Sequence, residues 1–457
     1  MNRNKNKNIF KKKSISPLIA TILLVVVAVA LIAVVLTWGK TFTKESLDKT
    51  TDFADLKPSD AAFFLKVEDG LNGRFFAKFN PPTNTIKQIT ITGYSLLDTP
   101  RVPLDPPVTI KAYERLPLDL GIVHSPFDLV LYLDDDTIIT KTGMKTTNRQ
   151  PRNCPEGFIP VPGNFLYDTT NDSSMGFCVA KYEMKVDQNG DGIGDSNTDC
   201  QDSSYGVWKN NKAGCSYSDF NLVSSPEGYP LTDIKQTESI AACESIGGHL
   251  ITNNEWMTLA RNIEQVPSNW SSGTIGEGHI YSGHNDSKPY NALEASIDTN
   301  GYAGTGQTSG PQRRTLTLTN GEVIWDLAGN VWEWTNDNID MSVNRPKSFN
   351  ENGDEITTNG YYNYSFKTSD PSVTDYIKYD DLGNTTLKYK DLFLLTSGNY
   401  NVDNGIGRMN LSTSTNRVFL RGGSWSSGSY SGLLALNLSS DSVRLSYHIG
   451  LRCAVVP

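Results

Sequence analysis

The sequence predicts an α+β fold made of one N-terminal membrane helix, a small β-sandwich and a larger, loop-rich C-terminal domain. Three observations lead to this prediction. Residues 17–38 are uncharged and almost entirely apolar, residues 51–145 contain short strand-like runs, and residues 146–457 are rich in Gly, Asn, Ser and Trp. A chain of 457 residues is long enough for two or three domains with their own cores.

The apolar stretch fits a membrane span, because about 20 apolar residues in a helix cross the roughly 30 Å hydrocarbon layer. Residues 1–14 carry six basic side chains and no acid, although the whole chain has a formal charge of −9. Basic flanks stay in the cytoplasm. We therefore predict a cytoplasmic leader and a cell-surface ectodomain, whose acidic charge argues against nucleic-acid binding.

Residues 11–21 read Lys-Lys-Lys-Ser-Ile-Ser-Pro-Leu-Ile-Ala-Thr, which resembles the signal of archaeal type IV pilins and archaellins. The resemblance implies an archaeal source and cleavage between Ser14 and Ile15. Residues 15–50 would then form a pilin-like transmembrane helix that anchors the chain or packs against pilin subunits. An uncleaved signal anchor is the alternative.

Six strand-like runs lie in the middle region, separated by Gly, Pro and Asp. They suggest a small β-sandwich over residues 51–145, and none of its residues looks catalytic, so we expect a stalk. The predicted strands are Ala61–Val67, Arg74–Phe79, Ile86–Ile91, Val108–Tyr113, Phe127–Leu133 and Thr137–Thr140.

Two helices are predicted in the C-terminal domain. Thr237 can cap a helix that runs to Ile246 and ends at two glycines. Thr252 and Glu255 have the spacing of a capping box, which predicts a second helix to about Ile263.

Four ordered motifs occupy residues 243–261, 325–334, 420–425 and 450–454, among them Trp-Asp-Leu-Ala-Gly-Asn-Val-Trp-Glu-Trp and Leu-Arg-Gly-Gly-Ser-Trp. They resemble the formylglycine-generating-enzyme (sulfatase-modifying factor) family, with Ile-Thr-Asn in place of its Leu-Pro-Thr. The resemblance implies a C-type lectin fold for residues 146–457 and a Cys243–Cys453 disulfide. It also implies core positions for Trp332, Trp334 and Trp425, and a structural polar network that includes Glu333 and Arg421.

The other cysteines, Cys154, Cys178, Cys200 and Cys215, bring the total to six. An even number in an external domain favours disulfides over free buried thiols. Cys200 and Cys215 can close one loop, but the sequence does not fix the pairing of these four.

Catalysis is not expected. Enzymes of the family hold copper with two cysteines between the last two motifs, and residues 426–449 contain no cysteine. Ser and Asn side chains do not replace thiolates as ligands of soft copper. We therefore expect no copper and no catalytic residues, with a copper-dependent oxidase and a structural pilus subunit as alternatives.

The same stretch resembles the variable region of proteins that retroelements diversify by mutating adenines. Mutated Asn codons cannot give Lys, Glu, Gln, Trp or Met, and none of these occurs in residues 426–448. Tyr and Ser side chains also dominate antibody paratopes, so we expect a recognition surface for an unknown protein or glycan on another cell or virus. A Ser-rich surface loop is the alternative. The candidate ligand-binding residues are Ser426, Ser427, Ser429, Tyr430, Ser439, Ser440, Asp441, Arg444, Ser446, Tyr447 and His448. We expect their side chains on one exposed face, with Trp425, Asn437 and Arg452 pointing inward.

Residues 187–195 have the spacing of a calcium loop. The predicted ligands are the side chains of Asp187, Asn189, Asp191 and Asp195 and the carbonyl of Ile193. Residue 198 is Thr where an EF-hand has Glu, so we predict a structural calcium site of another type. A plain Asp/Gly turn is the alternative.

If adenine mutagenesis has produced residues 426–448, sequencing of the locus should reveal a reverse transcriptase and a repeat of the codons for about residues 420–453. The two copies should differ chiefly where the repeat has adenine. Without such a repeat, the diversification hypothesis fails and an ordinary lectin-like binder remains.

Overall fold

The computed structural model describes residues 65–71, 74–81, 87–96, 101–120, 127–147, 153–164, 167, 169, 176–196, 198–308, 310–365, 375–378, 381–392 and 404–456. The predicted leader, the processing site at Ser14 and Ile15, and the membrane helix lie outside these residues. Within the described residues, no helix is long and apolar enough to cross a membrane.

The first described part consists of eight strands in two four-stranded sheets. The strands are β1 (Leu65–Leu71), β2 (Arg74–Phe79), β3 (Gln88–Leu96), β4 (Val102–Lys111), β5 (Arg115–Asp119), β6 (Phe127–Leu133), β7 (Ile138–Met144) and β8 (Thr146–Thr147). Their orders in the two sheets are β5-β2-β1-β8 and β4-β3-β6-β7. Two predicted strands, β2 and β6, have the predicted bounds, and the other four are shifted. Strands β5 and β8 were not predicted, because Pro117 interrupts the strand pattern of β5 and β8 has only two residues.

These two sheets share a core. Ile91 of β3 and Leu131 of β6 are fully buried. Phe75 of β2 meets Phe127 of β6 across the two sheets, edge to face, with ring centroids 5.6 Å apart. Edge-to-face pairs are a favoured aromatic geometry, so this contact helps to fix how the sheets pack.

The remaining described residues form short strands, few helices and long ordered loops. The elements are β9 (Phe158–Val161), β10 (Phe177–Ala180), β11 (Lys185–Asp187), β12 (Gln201–Asp202), β13 (Val207–Lys209), β14 (Asn221–Val223), β15 (Leu231–Thr232), α1 (Gln236–Ser245), β16 (His249–Leu250), α2 (Asn253–Glu264), β17 (Thr315–Thr317), β18 (Val323–Trp325), β19 (Trp332–Ile339), α3 (Met341–Asn344), β20 (Ser348–Phe349), β21 (Glu355–Ile356), β22 (Gly360–Ser365), β23 (Tyr376–Lys378), α4 (Tyr389–Leu392), β24 (Met409–Leu411), β25 (Arg417–Gly422), β26 (Gly432–Asn437), β27 (Ile449–Leu451) and β28 (Cys453–Val455).

The largest sheet has nine strands in the order β21-β20-β23-β22-β24-β26-β25-β19-β27. Strand β19 is antiparallel to β25 and parallel to β27, so that Glu333 lies opposite both Arg421 and Gly450. Residues 426–448 therefore leave this sheet after β25, contribute β26 to it, and return to it at β27.

Both predicted helices are present. Helix α2 begins with the predicted capping box, in which the Glu255 amide donates to Thr252 Oγ1 and the Thr252 amide donates to Glu255 Oε2. Helix α1 begins at Gln236, so the prediction that Thr237 caps it is wrong. The cap position belongs to Lys235, because its amide donates to Glu238 Oε2 at 3.0 Å and closes the first turn.

All six cysteines are paired. The disulfides are Cys154–Cys178, Cys200–Cys215 and Cys243–Cys453, and the last of these is the pair that the family resemblance implies. It joins α1 to β28 across 210 residues, so it restricts the unfolded chain by several kcal/mol in the chain-entropy account.

A buried ion pair joins Glu333 of β19 to Arg452, which lies between β27 and β28. The guanidinium of Arg452 donates to both carboxylate oxygens of Glu333, with a shortest distance of 2.6 Å, and also to the carbonyls of Ala180 and Trp325. Both side chains are inaccessible to solvent. Arg421 has different partners, donating to Asn253 Oδ1 and to the Asp391 carbonyl. Burial of Trp334 and Trp425 completes this core.

Replacing Glu333 with Gln should lower the free energy of unfolding by about 3–5 kcal/mol, because Arg452 would remain charged, buried and unpaired. Chemical denaturation followed by circular dichroism measures this loss. A matched control is Glu355→Gln, since the exposed Glu355 pairs with Lys347 at 3.8 Å and should contribute almost nothing. Equal effects of the two changes would contradict the structural role of the buried pair.

Candidate ligand-binding surface

The segment of residues 426–448 is held at both ends by backbone hydrogen bonds to the loop before β19 and to β19 itself. The Trp425 amide donates to the Asn330 carbonyl at 2.9 Å, and the Trp332 amide donates to the His448 carbonyl at 2.8 Å. Between these points, Ser440 and Ser442 accept from the amides of Val418 and Gln236. The course of the backbone therefore depends largely on groups that every residue type has.

One aromatic cluster surrounds the end of the segment. The ring of Tyr447 stacks on Tyr205 with centroids 4.2 Å apart, and its other neighbours are Trp425 and His448 at 6.0 and 4.3 Å. Tyr290 meets Tyr205 edge to face at 6.3 Å. Trp425 is fully buried, whereas Tyr290 is 54% exposed. The cluster thus reaches from the core to the solvent.

A second aromatic cluster forms around Tyr430, in the 3-10 helix Gly428–Tyr430. Its ring stacks on Tyr361 with centroids 4.3 Å apart and 13° between the planes. The guanidinium carbon of Arg408 lies 4.8 Å from the centre of the same ring. Tyr361 remains 38% exposed, so this cluster also borders the solvent.

The positive charge of Arg444 acts on one group in each cluster. Burial, aided by Arg444, lowers the pKa of His448 to about 4, so this imidazole is neutral at physiological pH. Burial raises the pKa of Tyr361, and the positive charge of Arg444 opposes that rise. Groups in both clusters therefore lie within reach of the charge of Arg444.

The model of the sulfatase-modifying factor enzyme 1-like domain matches residues 143–456. The chain belongs to this family. None of the curated proteins compared with the chain matches it.

Solved structures of the Major Tropism Determinant are also similar to this member of the family. The U1 variant is 15% identical, with 86% of this chain and 81% of that chain covered and a TM-score of 0.29. The I1 variant is 15% identical with a TM-score of 0.28, covering 83% of this chain and 81% of that chain. The P3c variant is 15% identical with a TM-score of 0.29, covering 83% and 74%.

Most of the predicted binding residues are accessible in this family member. Ser426, Ser429, Asp441 and Arg444 are exposed, and Ser427, Tyr430, Ser439, Ser446, Tyr447 and His448 are partly buried. Three of the partly buried serines make local hydrogen bonds, since Ser427 and Ser446 accept from the Ser424 and His448 amides and Ser439 donates to Asn437 Oδ1. These serines order the loops as well as border the surface.

Two positions differ from the expectation. Ser440 is only 3% exposed, because the loop turns inward where its carbonyl accepts from the Val418 amide at 3.1 Å. It cannot contact a ligand in this conformation. Asn437 was expected to point inward with Trp425 and Arg452, but it is only partly buried and its side-chain oxygen accepts from the Ser439 amide.

Sequence reasoning missed the residues that complete the surface from outside the segment. These are Tyr205, Tyr290, Tyr361, Arg408 and Asn410, the last of which donates to Ser439 Oγ at 3.1 Å. Tyr205, Tyr290 and Tyr361 are far from the segment in sequence, whereas Arg408 and Asn410 lie shortly before it, beside and within β24. Only the strand order, which places β24 between β26 and β22, brings Tyr361 and Asn410 there, so no local sequence signal was available.

The predicted calcium ligands lie elsewhere, in the turn after β11. Asp187 is buried and its carboxylate accepts from the amides of Gly190 and Gly192 at 2.7 and 3.0 Å. Asp195 accepts from the Gln188 amide at 2.6 Å, and Asp191 accepts from the Ile193 amide at 2.9 Å. Across the described residues, no group of three His, Cys, Asp or Glu side chains converges as metal ligands would.

Because both segment tyrosines are stacked, we expect Tyr447→Ala to lower the free energy of unfolding by about 1–2 kcal/mol, rather than to leave it unchanged as for a fully exposed residue. Thermal or chemical denaturation measures the difference. Ser429→Ala, at an exposed position of the same segment, is the control and should have no effect. A Tyr447→Ala protein of unchanged stability would show that the stack on Tyr205 is not formed in solution.

Proposed function

We propose that the protein is a cell-surface receptor or adhesin that binds its ligand with the side chains of residues 426–448. The observation that supports this most is the separation of surface from scaffold. Tyrosine, serine and arginine side chains border the solvent, while buried ion pairs, disulfides and backbone hydrogen bonds hold the loops. Rigid aromatic rings and adaptable serine hydroxyls are the side chains that antibody paratopes use.

The separation would let the segment change without unfolding the domain, which is what retroelement diversification requires. The ligand would then be a protein or glycan on another cell or a virus, and its identity would change with the segment. We further propose that the chain is anchored by its N-terminal helix, as a single-pass membrane protein or a pilus-associated subunit, with cleavage between Ser14 and Ile15. Nucleic acid is not a proposed partner, because the ectodomain is acidic.

Formylglycine-generating oxidation is the less favoured function. That chemistry needs two cysteine thiolates that can bind copper, and each of the six cysteines of this chain is already in a disulfide. The residues between the last two family motifs offer hydroxyl, amide and imidazole groups instead. We therefore propose a binding role for this member of the family.

Binding can be tested with cells that display the full-length chain, mixed with labelled cells and virus particles from the same habitat. We expect adhesion to one class of particle, and at least a tenfold loss in the Tyr430→Ala/Tyr447→Ala variant, because tyrosines are frequent interface hot spots. The control is Tyr113→Ala/Tyr302→Ala, which removes two exposed tyrosines outside the segment. No adhesion would favour the structural pilus subunit, and equal adhesion of all variants would place binding elsewhere.

Calcium is proposed as a structural ligand of the turn at residues 187–195. The available donors are carboxylate, amide and carbonyl oxygens, which calcium prefers. If calcium binds, its removal by a chelator should lower the melting temperature of the ectodomain, since a ligand at a hundred times its Kd stabilises the folded state by about 3 kcal/mol.

The chelator effect should disappear in Asp191→Ala but persist in Asp354→Ala. Asp354 is the control because it belongs to another turn built on an Asn side chain, with its amide bonded to Asn350 Oδ1 at 2.9 Å. An unchanged melting temperature, together with no calcium in the purified protein, would leave a plain Asp/Gly turn.

A further inference from the structure

Each tyrosine of the 426–448 segment has a stacking partner in a distant part of the chain. Tyr205 lies in the turn between β12 and β13, and Tyr361 lies in β22. They stack on Tyr447 and Tyr430 with centroids 4.2 and 4.3 Å apart and planes inclined by 20° and 13°. We call Tyr205 and Tyr361 the fixed tyrosines, because they lie outside the segment.

Core packing alone does not explain these two residues. Tyr361 is 38% exposed and Tyr205 is only partly buried, so neither is a fully buried core residue. Both belong to parts of the backbone that are hydrogen-bonded to the rest of the fold. The Tyr205 carbonyl accepts from the Ala292 amide at 2.8 Å, and Tyr361 pairs with Asn410 of β24 in the large sheet. The position of each fixed tyrosine's ring is therefore set by parts of the fold outside the 426–448 segment.

The segment needs such support because its backbone bonds do not orient its side chains. Its carbonyls at Ser440, Ser442, Ser446 and His448 accept from amides of the surrounding chain, and such bonds are available to every residue type. A tyrosine side chain on a loop keeps its rotamer freedom unless something packs against it, and a ligand must then order it on binding. Stacking on the fixed tyrosines restricts the rotamers of Tyr447 and Tyr430 before a ligand binds.

We propose that Tyr205 and Tyr361 are positioning residues of the recognition surface, which hold the rings of Tyr447 and Tyr430 in place before a ligand arrives. This inference rests on the proposed binding function. It adds two residues that lie more than 60 positions before the segment, and it explains how a changeable loop can present an ordered surface.

The test compares the full-length protein with four single variants, namely Tyr205→Ala, Tyr205→Phe, Tyr361→Ala and Tyr361→Phe. Phenylalanine keeps the ring and its stack but removes the hydroxyl. Tyr302→Ala is the matched control, because Tyr302 is 41% exposed, meets Tyr281 edge to face at 6.2 Å and is not part of either cluster.

Hydrogen–deuterium exchange measures order without any ligand. We expect the two alanine variants to exchange up to about tenfold faster in peptides that cover residues 426–431 and 441–448, as the strength of one aromatic pair implies. Peptides from α2 and β19 should be unchanged, and the two phenylalanine variants and Tyr302→Ala should match the unmodified protein. Unchanged exchange in the alanine variants, or an equal acceleration throughout the domain, would overturn the positioning role.

The adhesion assay provides the second measurement. A positioning role predicts at least a fivefold loss of adhesion in the alanine variants and retention in the phenylalanine variants. Equal loss in both would make the hydroxyl the acting group and overturn the proposal. Because exchange is read without ligand, absence of adhesion in every protein would refute the binding function itself, whereas faster exchange with unchanged adhesion would refute only the positioning role.

Discussion

The pairing of Arg452 with Glu333 brings together the strands on which the C-terminal part is built. Its guanidinium joins the Glu333 carboxylate of β19 to the carbonyls of Ala180 in β10 and Trp325 in β18. A buried guanidinium is tolerated only when nearly all its donors are satisfied. These three strands are therefore restricted to one arrangement around Arg452, and the large sheet and the sheet with β10 and β28 meet there.

The geometry of the candidate ligand-binding surface depends on this constraint. Ile449 follows His448 directly and pairs with Trp332, the residue before Glu333. At the other end of the segment, the Trp425 amide is bonded to Asn330. Both ends of residues 426–448 are thus fixed within a few residues of the buried ion pair. Differences in the side chains between them need not disturb the pair, because they do not contribute to it.

The features that could be predicted from the sequence are those that depend on a local pattern or on the order of the family motifs. The capping box of Thr252 and Glu255 has a mechanism confined to four residues, and it is present as predicted. The family motifs include Glu333, Arg452 and the strand residues next to them. The fold of residues 143–456 could therefore also be predicted from the sequence. Strand bounds were less predictable, as β4 begins at Val102 and not at Val108 because pairing with β3 continues past a bulge.

Only the part of the candidate surface that residues 426–448 contribute could be predicted from the sequence. Composition and the absence of five residue types marked residues 426–448 as unusual, but they could not reveal that Ser440 turns inward to meet Val418. Nor could they reveal Tyr205 and Tyr361, whose proximity to the segment arises from sheet order and loop packing between residues far apart in the chain. A tyrosine whose stacking partner lies far away in the chain leaves no periodic or spacing signal in the sequence.

The disulfide between Cys243 and Cys453 has a consequence for the response of this domain to proteolysis. The turn at residues 441–445 is the kind of exposed loop at which proteases cut, and Arg444 within it is exposed. The tail released by such a cut still contains Cys453, which is bonded to Cys243 on the other side of the break. A nicked molecule would therefore keep its last strands covalently attached, and losing them would require reduction as well as cleavage.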